Sequence, residues 1–393
     1  MIDFELTPEQ KEIRRLAHDF AEKEIRPHAA YHDETEEFPW EIVKKAHKLG
    51  LTTFSYPEEY GGGGIEDPVA SLLVSEELAW GCAGIAVAIN GSHLPAAAIM
   101  AMGTTEQKKK WIPMLCDPDR CLIGAMGLTE PGAGSDVSSI QTTARREGDV
   151  YVLNGTKQFI TNGGIADIHV VFATLDRSKG WKGIAAFLID DKNTPGFSMG
   201  RKEKKMGVRA SHTAQIILED VRVPVENRLG GEPGDPEYVP GYVGALKMLE
   251  HTRPGVAASA IGIARAAYEY ALQYAKERIQ FKKPIIEHQA VAFKLADMST
   301  RIDAARLLTW RAGWMRHRKI PFHRGEGSMA KLFAGDVAVE TTMDAIQILG
   351  GYGYIKEYPV EKWTRDAKIY QIWEGTAEIQ RLVISRAIAK HGK

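Results

Sequence analysis

The sequence predicts a multidomain α+β fold: an N-terminal helical domain, a middle antiparallel β domain and a helical bundle at the C-terminal end. Three observations carry this. Apolar residues recur at helical spacing from Thr7 to about Cys121. Short β-branched runs separated by turn residues then fill the chain to about Leu229, and long amphipathic segments occupy the rest. At 393 residues the chain is too long for one small core. The texture changes place the domains at 1–121, 122–230 and 231–393.

The first helix is announced by Thr7-Pro8-Glu9-Gln10, a capping hydroxyl followed by Pro at the first helical position and acid in the first turn. Ile13, Leu16, Ala17 and Phe20 then keep helical spacing. The glycines 61–64 break the zone before a helix through Leu72, Leu73, Glu76 and Leu78, and one further apolar helix is expected from Ala83 to Met102. In the middle zone, strands are read at Val150–Leu153, His169–Ala173 and Ile184–Ile189, punctuated by Asn154-Gly155 and Asn162-Gly163-Gly164. No βαβ repeat is visible, which argues against a Rossmann sheet. Beyond the Gly/Pro-rich stretch from Gly230 to Gly241, single long helices are expected at Ala257–Phe281, Glu287–Arg316 and Ser328–Leu349, with a last one from Thr376 to Lys390. Helices of that length packed side by side imply a bundle with a second face free for oligomer contacts.

Composition excludes several classes. Lys plus Arg number 50 against 51 Asp plus Glu, so no basic face for nucleic acid is expected. Cys82, Cys116 and Cys121 form no C-x-x-C pair and have no clustered His partners, so neither a disulfide framework nor a metal site is expected. The N-terminal string Met1-Ile2-Asp3-Phe4-Glu5-Leu6 carries acid where a targeting peptide would carry base. No uninterrupted apolar run is read as long enough to span a bilayer. A soluble, cytoplasmic protein without membrane insertion is the expectation.

The common nucleotide and hydrolase motifs are missing, and the Gly61–Gly64 run lacks the Lys and strand–helix context of a phosphate loop. His317 and His323, in an Arg-rich helix end, read as solvated surface. Two segments stand out. Gly127-Leu128-Thr129-Glu130-Pro131-Gly132-Ala133-Gly134-Ser135-Asp136 opens the β zone, and a Gly/Ser-rich turn leaves backbone N–H groups free to bind anionic or carbonyl oxygens. Tyr370-Gln371-Ile372-Trp373-Glu374-Gly375-Thr376 places a carboxylate between an aromatic and a glycine, just before a helix N-terminus. Taken alone, a Glu there is more often a solvated or capping residue than a catalyst.

Together these segments resemble the acyl-CoA dehydrogenase family. The first looks like that family's flavin-and-substrate signature. The second signature is matched by Gln347-Ile348-Leu349-Gly350-Gly351-Tyr352-Gly353-Tyr354 with Glu357, Lys362 and Arg365-Asp366, followed by Glu374-Gly375-Thr376. Thr252-Arg253-Pro254, Glu277-Arg278-Ile279-Gln280-Phe281 and Glu287-His288-Gln289 are similar to further family motifs, and the likeness runs from Leu6-Thr7 to the last helix. The resemblance implies an N-terminal helical domain, a middle β domain, a C-terminal four-helix bundle, FAD as cofactor and a homotetramer built from dimers. It also implies α,β-dehydrogenation of an acyl-CoA, with electrons passed to electron-transferring flavoprotein.

By that resemblance Glu374 takes the α proton and flavin N5 the β hydride. The backbone N–H of Glu374 and a flavin ribityl hydroxyl would hold the thioester carbonyl, each such donor being worth roughly 3–4 kcal/mol. Burial beside Trp373 would raise the pKa of the base. Some members carry the base where this chain has Thr252, which cannot serve. Met126, Leu128, Thr129, Phe159 and Thr161 should line the flavin ring, and Gly134 and Ser135 bound cofactor and substrate. Phe159 replaces a frequent Trp. Arg278, Gln280, Phe281, Gln289, Gln347 and Gly351 should reach the adenine-diphosphate part, several across a dimer interface, with Thr376 and Glu378 completing the set. Ser135, Glu250, Arg253, Glu374 and Gly375 occupy substrate positions, although Arg253 also reads as a structural ion pair and Glu250 as a surface carboxylate. Ala86, Val87 and Ala88 should floor the acyl pocket, leaving room for a short-to-medium straight chain. No Arg lies between Gly81 and Met102 to meet a dicarboxylic substrate. The rivals are an acyl-CoA oxidase, which would carry a longer C-terminal extension, a monooxygenase relative, which would lack Glu374, and a non-catalytic helical scaffold.

Overall fold

The computed structural model describes residues 4–391, so Met1, Ile2 and Asp3 of the acidic N-terminal string lie outside the described residues. Helix α1 (Pro8–Phe20) begins as the sequence suggests, and Gln10 completes a capping box by returning its side chain to the Thr7 N–H. It runs on through a π turn and a 3₁₀ turn into α2 (Ala29–Thr35), followed by α3 (Trp40–Lys48) and α4 (Pro68–Gly81), the last capped by Asp67. The expected single helix Ala83–Met102 is two, α5 (Ala83–Asn90) and α6 (His93–Met102), separated at Gly91-Ser92; α7 (Thr105–Cys116) closes this part. By length and a mean hydropathy of 1.5, Ala83–Met102 does reach the dimensions of a membrane span, contrary to the sequence expectation. The fold breaks it in two and packs Ile85, Ile89 and Ile99 into the core.

The middle part is one eight-stranded sheet of β1 (Gly124–Gly127), β2 (Thr143–Glu147), β3 (Val150–Thr161), β4 (Ile168–Thr174), β5 (Ile184–Ile189), β6 (Phe197–Lys202), β7 (Thr213–Pro224) and β8 (Arg228–Leu229). The order is β6-β7-β3-β2-β4-β5-β8, with β1 added alongside β4. The sheet is mixed rather than purely antiparallel, because β1 and the end of β2 pair parallel to β4. Nor are all strands short: β3 and β7 each run 12 residues. Both faces of β4 and β5 are buried. Val170, Phe172, Ala186 and Leu188 join a core with α6 and α7, while Val171, Ala173, Phe187 and Ile189 fill the opposite face, as a two-residue period requires.

Helix α8 (Gly241–Glu277) starts well before the expected Ala257, with Pro254 inside it. Burial of Gly244, Ala245 and Met248, with the helix packed against α6, outweighs the hydrogen bond that Pro254 forfeits. A small hairpin, β9 (Ile279–Gln280) and β10 (Lys283–Pro284), leads to α9 (Gln289–His317), α10 (Glu326–Leu349), α11 (Val360–Ala367) and α12 (Ala377–His391). Helix α10 packs on α8, α9 and α12, and α8 also packs on α4. That last contact is close: a Cβ on Gly262 would meet the Glu76 carbonyl at 2.2 Å. One continuous core therefore joins the first and last helical parts.

Candidate active site

Glu374 sits on the turn that enters α12, at φ 49°, followed by Gly375 at φ 94°. A left-handed non-glycine residue costs about 1–3 kcal/mol and persists only where its surroundings enforce it. Three helices do so. From α8, the Thr252 hydroxyl donates to Glu374 Oε2 at 2.8 Å. From α12, the fully buried Gln380 amide donates to the carbonyls of Glu374 (3.2 Å) and Gly375 (2.8 Å). From α10, Lys331 Nζ donates to the Gly375 carbonyl at 2.7 Å. Burial pushes the Glu374 carboxyl above the usual carboxylate range, opposed by the Thr252 hydrogen bond and by the charges of Arg253 and Lys331. Among the described residues, the backbone N–H of Glu374 has no acceptor. The geometry thus supplies a proton-accepting carboxylate beside a free N–H donor.

The Gly/Ser-rich turn leaves β1 under tight control. Glu130 accepts the N–H groups of Gln141 (2.5 Å) and Thr142 (2.9 Å) and pairs with the fully buried Lys157 at 2.7 Å. Lys157 also donates to the Leu128 carbonyl. Burial lowers the Lys157 pKa to about 8 against the pull of Glu130. Leu128 is buried, Met126 and Thr129 are half-buried, and Gly134 and Ser135 are exposed, with open space where a Gly134 Cβ would stand. On β3 the pairing slips between Lys157 and Ile160, and Phe159 stands out of this bulge at φ 60°, 62% exposed. The Gln158 N–H donates to the Thr129 carbonyl, which ties the bulge to the turn. Thr161 is brought beside the end of α5, where a Gly91 Cβ would lie 3.4 Å from its methyl. The α5 expectation needs correction: Ala86 and Ala88 point into the core, leaving Val87 and Asn90 on the half-open side.

A second group gathers elsewhere. Arg278, Gln280 and Gly351 line a cavity of about 430 Å³ with Tyr274, Ile348 and Tyr352, and neither Glu374 nor any residue of the eight-stranded sheet borders it. The Arg278 guanidinium lies over the Tyr352 ring, 5.5 Å from its centroid. Among the described residues no carboxylate is within ion-pair distance of it. Phe281 is 89% exposed at φ 52°, and Gln289 at the start of α9 and Gln347 near the end of α10 are exposed too. The expected cofactor residues therefore divide into two sets in one chain. Thr376 caps α12 by accepting the Ile379 N–H, and Glu378 is exposed on the first turn. Arg253 is buried and donates to Ser328 Oγ at 3.0 Å, with its Nε lacking a partner. It makes no ion pair among the described residues, against the structural reading. Glu250 is half-buried, and burial raises its pKa. No cluster of three or more His, Cys, Asp or Glu able to hold a metal occurs among the described residues. Lys157, Lys331 and Gln380 were not singled out from sequence. The one signal was their apolar setting, since a Lys inside a helical or strand core pattern is unusual.

A mixed sheet in the chain between two helical parts, with a carboxylate held on a turn among α8, α10 and α12, is the arrangement to be matched against known proteins. Family models for the acyl-CoA dehydrogenase N-terminal, middle and C-terminal domains match residues 7–119, 125–221 and 241–389. The short-chain-specific acyl-CoA dehydrogenase of Clostridium acetobutylicum is 45% identical, covering 98% of this chain and 100% of its own. The solved butyryl-CoA dehydrogenase of Megasphaera elsdenii is 44% identical with a TM-score of 0.93, covering 99% and 100% of the two chains. A chain solved in work on the electron transferring flavoprotein of Acidaminococcus fermentans is 43% identical, also at 0.93, covering 98% and 99%. This chain belongs to the acyl-CoA dehydrogenase family, whose members are FAD flavoproteins. The residues present fit that cofactor: an unpaired guanidinium beside Gly350-Gly351 suits a diphosphate, and the outward Phe159 beside Thr161 suits a planar ring.

Proposed function

We propose that the chain converts a saturated short-to-medium-chain acyl-CoA to the trans-2-enoyl-CoA, with Glu374 taking the α proton, and passes the electrons to electron-transferring flavoprotein. The observation that carries this is Glu374 itself, a carboxylate of raised pKa on an enforced left-handed turn with a free N–H. When bound, FAD supplies the hydride acceptor at N5. The chain's own residues do the rest. Met126, Leu128, Thr129, Phe159 and Thr161 hold the flavin ring, and Arg278, Gln280 and Gly351 hold the diphosphate part. The Glu374 N–H orients the thioester carbonyl and polarises it, which acidifies the α carbon. Thr252 fixes the carboxylate that removes the proton. The names of the relatives support the short chain and the flavoprotein acceptor.

A homotetramer is supported by the apolar surface of the last part: Phe281, Phe293, Trp314, Met343 and Tyr354 are all at least half exposed. With the cofactor residues split into two sets, each site would take its second set from a partner subunit. Steady-state turnover of straight-chain acyl-CoAs of increasing length, with electron-transferring flavoprotein as acceptor, tests the reading. Greatest kcat/KM is expected at the short end, from a species sedimenting as a tetramer. Peroxide formation matching turnover without the flavoprotein would contradict the proposed acceptor.

A further inference from the structure

Lys331 lies on α10 with its side chain 1% exposed, yet among the described residues no carboxylate stands within ion-pair distance of it. Buried ammonium groups are ordinarily paired. The hydrogen bond it makes is to a neutral group, the Gly375 carbonyl, on the turn that carries Glu374. Its charged surroundings come from each element packed around it: Glu374 on the turn, Glu378 on α12, Arg253 on α8 and Asp336 one turn further along α10. The buried Gln380 amide already holds the same carbonyl at 2.8 Å without any charge. What Lys331 adds beyond that bond is its positive charge behind the base.

Resting on the proposed role of Glu374, we infer that Lys331 is a positioning residue for α-proton removal: it locks the Glu374-Gly375 turn through the Gly375 carbonyl, and its charge favours the ionised carboxylate. The effect on Glu374 opposes the larger effect of burial, as the charge of Arg253 also does. Arg253 donates to Ser328 on the same helix as Lys331, and its Nη2 lies 3.7 Å from where a Gly375 Cβ would stand, but of the two cations only Lys331 hydrogen-bonds the turn among the described residues. Burial also brings the Lys331 pKa down to about 8, with Glu374 opposing that fall. The charge is therefore present at neutral pH and fades as pH passes about 8.

The test uses the FAD-loaded enzyme and its Lys331→Gln, Lys331→Met and Lys331→Arg variants, each checked for flavin content and melting temperature. Exchange of the acyl-CoA α proton into deuterated water, followed by NMR under anaerobic conditions across pH, reads the base without requiring turnover. Lys331→Gln can keep a hydrogen bond to Gly375 while losing the charge, and it carries the test even where Lys331→Met fails to fold. The expected result is an acid limb displaced upward by about one pH unit, tenfold in proton affinity, in the Gln and Met variants and restored in Arg. Exchange slowed equally at every pH, or left unchanged, overturns the inference. Absence of exchange in the wild type overturns the reading of Glu374 as base as well, and so is told apart from failure at Lys331 alone.

Discussion

Thr252 shows how a residue can be present in a motif and still hide its role. Its neighbours Arg253 and Pro254 were legible as a family motif, and Thr252 itself was read only as a position unable to supply the base. The structure brings its hydroxyl onto Glu374 Oε2. Nothing in local spacing reports a contact between α8 and the turn before α12. A hydroxyl donating to a carboxylate favours the ionised form, so Thr252→Val should raise the Glu374 pKa further. Hydrogen bonds to charged groups are worth about 1.5–3 kcal/mol. The acid limb of the kcat/KM profile should therefore move to higher pH, with roughly a tenfold loss below it and little change well above it. A profile of unaltered shape would show that the bond orders the side chain without tuning its acidity. The same limit of local reading applies to Glu374. Its position in the motif was visible, but its left-handed backbone was not, because Thr252, Lys331 and Gln380 from outside the segment hold that conformation.

At the scale of elements, helix type and order were readable from apolar spacing, and boundaries failed where packing overrode local preference. The apolar run from Ala83 to Met102 was read as one helix, and the chain instead divides at Gly91-Ser92 into α5 and α6. The helix expected to start at Ala257 starts at Gly241, because burial against α6 carries it through Pro254. The seam between α4 and α8 was invisible as a polar network. Glu76 and Glu77 looked like members of a helical pattern, yet both are buried, with Arg265 bridging them and Arg306 joining Glu76. Burial alone would raise the Glu77 pKa, but Arg265, Arg14 and His18 outweigh it and hold it down to about 2. A carboxylate depressed on folding contributes stability above its unfolded value of about 4.5 and loses that contribution as pH falls toward 2. Glu77→Gln leaves Arg265 under-compensated and should cost about 3–5 kcal/mol at neutral pH. It should also flatten the fall in stability across the acid range, as denaturant unfolding at a series of pH values would show. An acid dependence as steep as the wild type's would place the acid-sensitive group elsewhere.

Across the whole molecule, the three textures of the sequence are the three parts of the fold, because period two and period 3.6 survive any arrangement of the parts. The relation between parts does not follow from those periods. The parallel pairing of β1 with β4 makes the sheet mixed, and it depends on residues some forty positions apart in the chain rather than on a hairpin turn. Resemblance to a family placed residues in roles that periodicity could not, and the fold then set those around the Arg278 cavity apart from those on β1, on β3 and on the Glu374 turn. On the proposed function, the substrate's reacting carbon would meet Glu374, while the far end of the cofactor would be served by Arg278 just beyond the C-terminal end of α8.

The central claim is that Glu374 is the base through which an acyl-CoA reduces the bound flavin. Anaerobic titration of the FAD-loaded protein with saturated acyl-CoAs, followed in the visible spectrum beside Glu374→Gln, tests it most directly. The account predicts bleaching of the oxidised flavin band by short-to-medium chains in the wild type and loss of that bleaching, by at least about a thousandfold in rate, in the variant with flavin still bound. Bleaching at an undiminished rate in Glu374→Gln would contradict it.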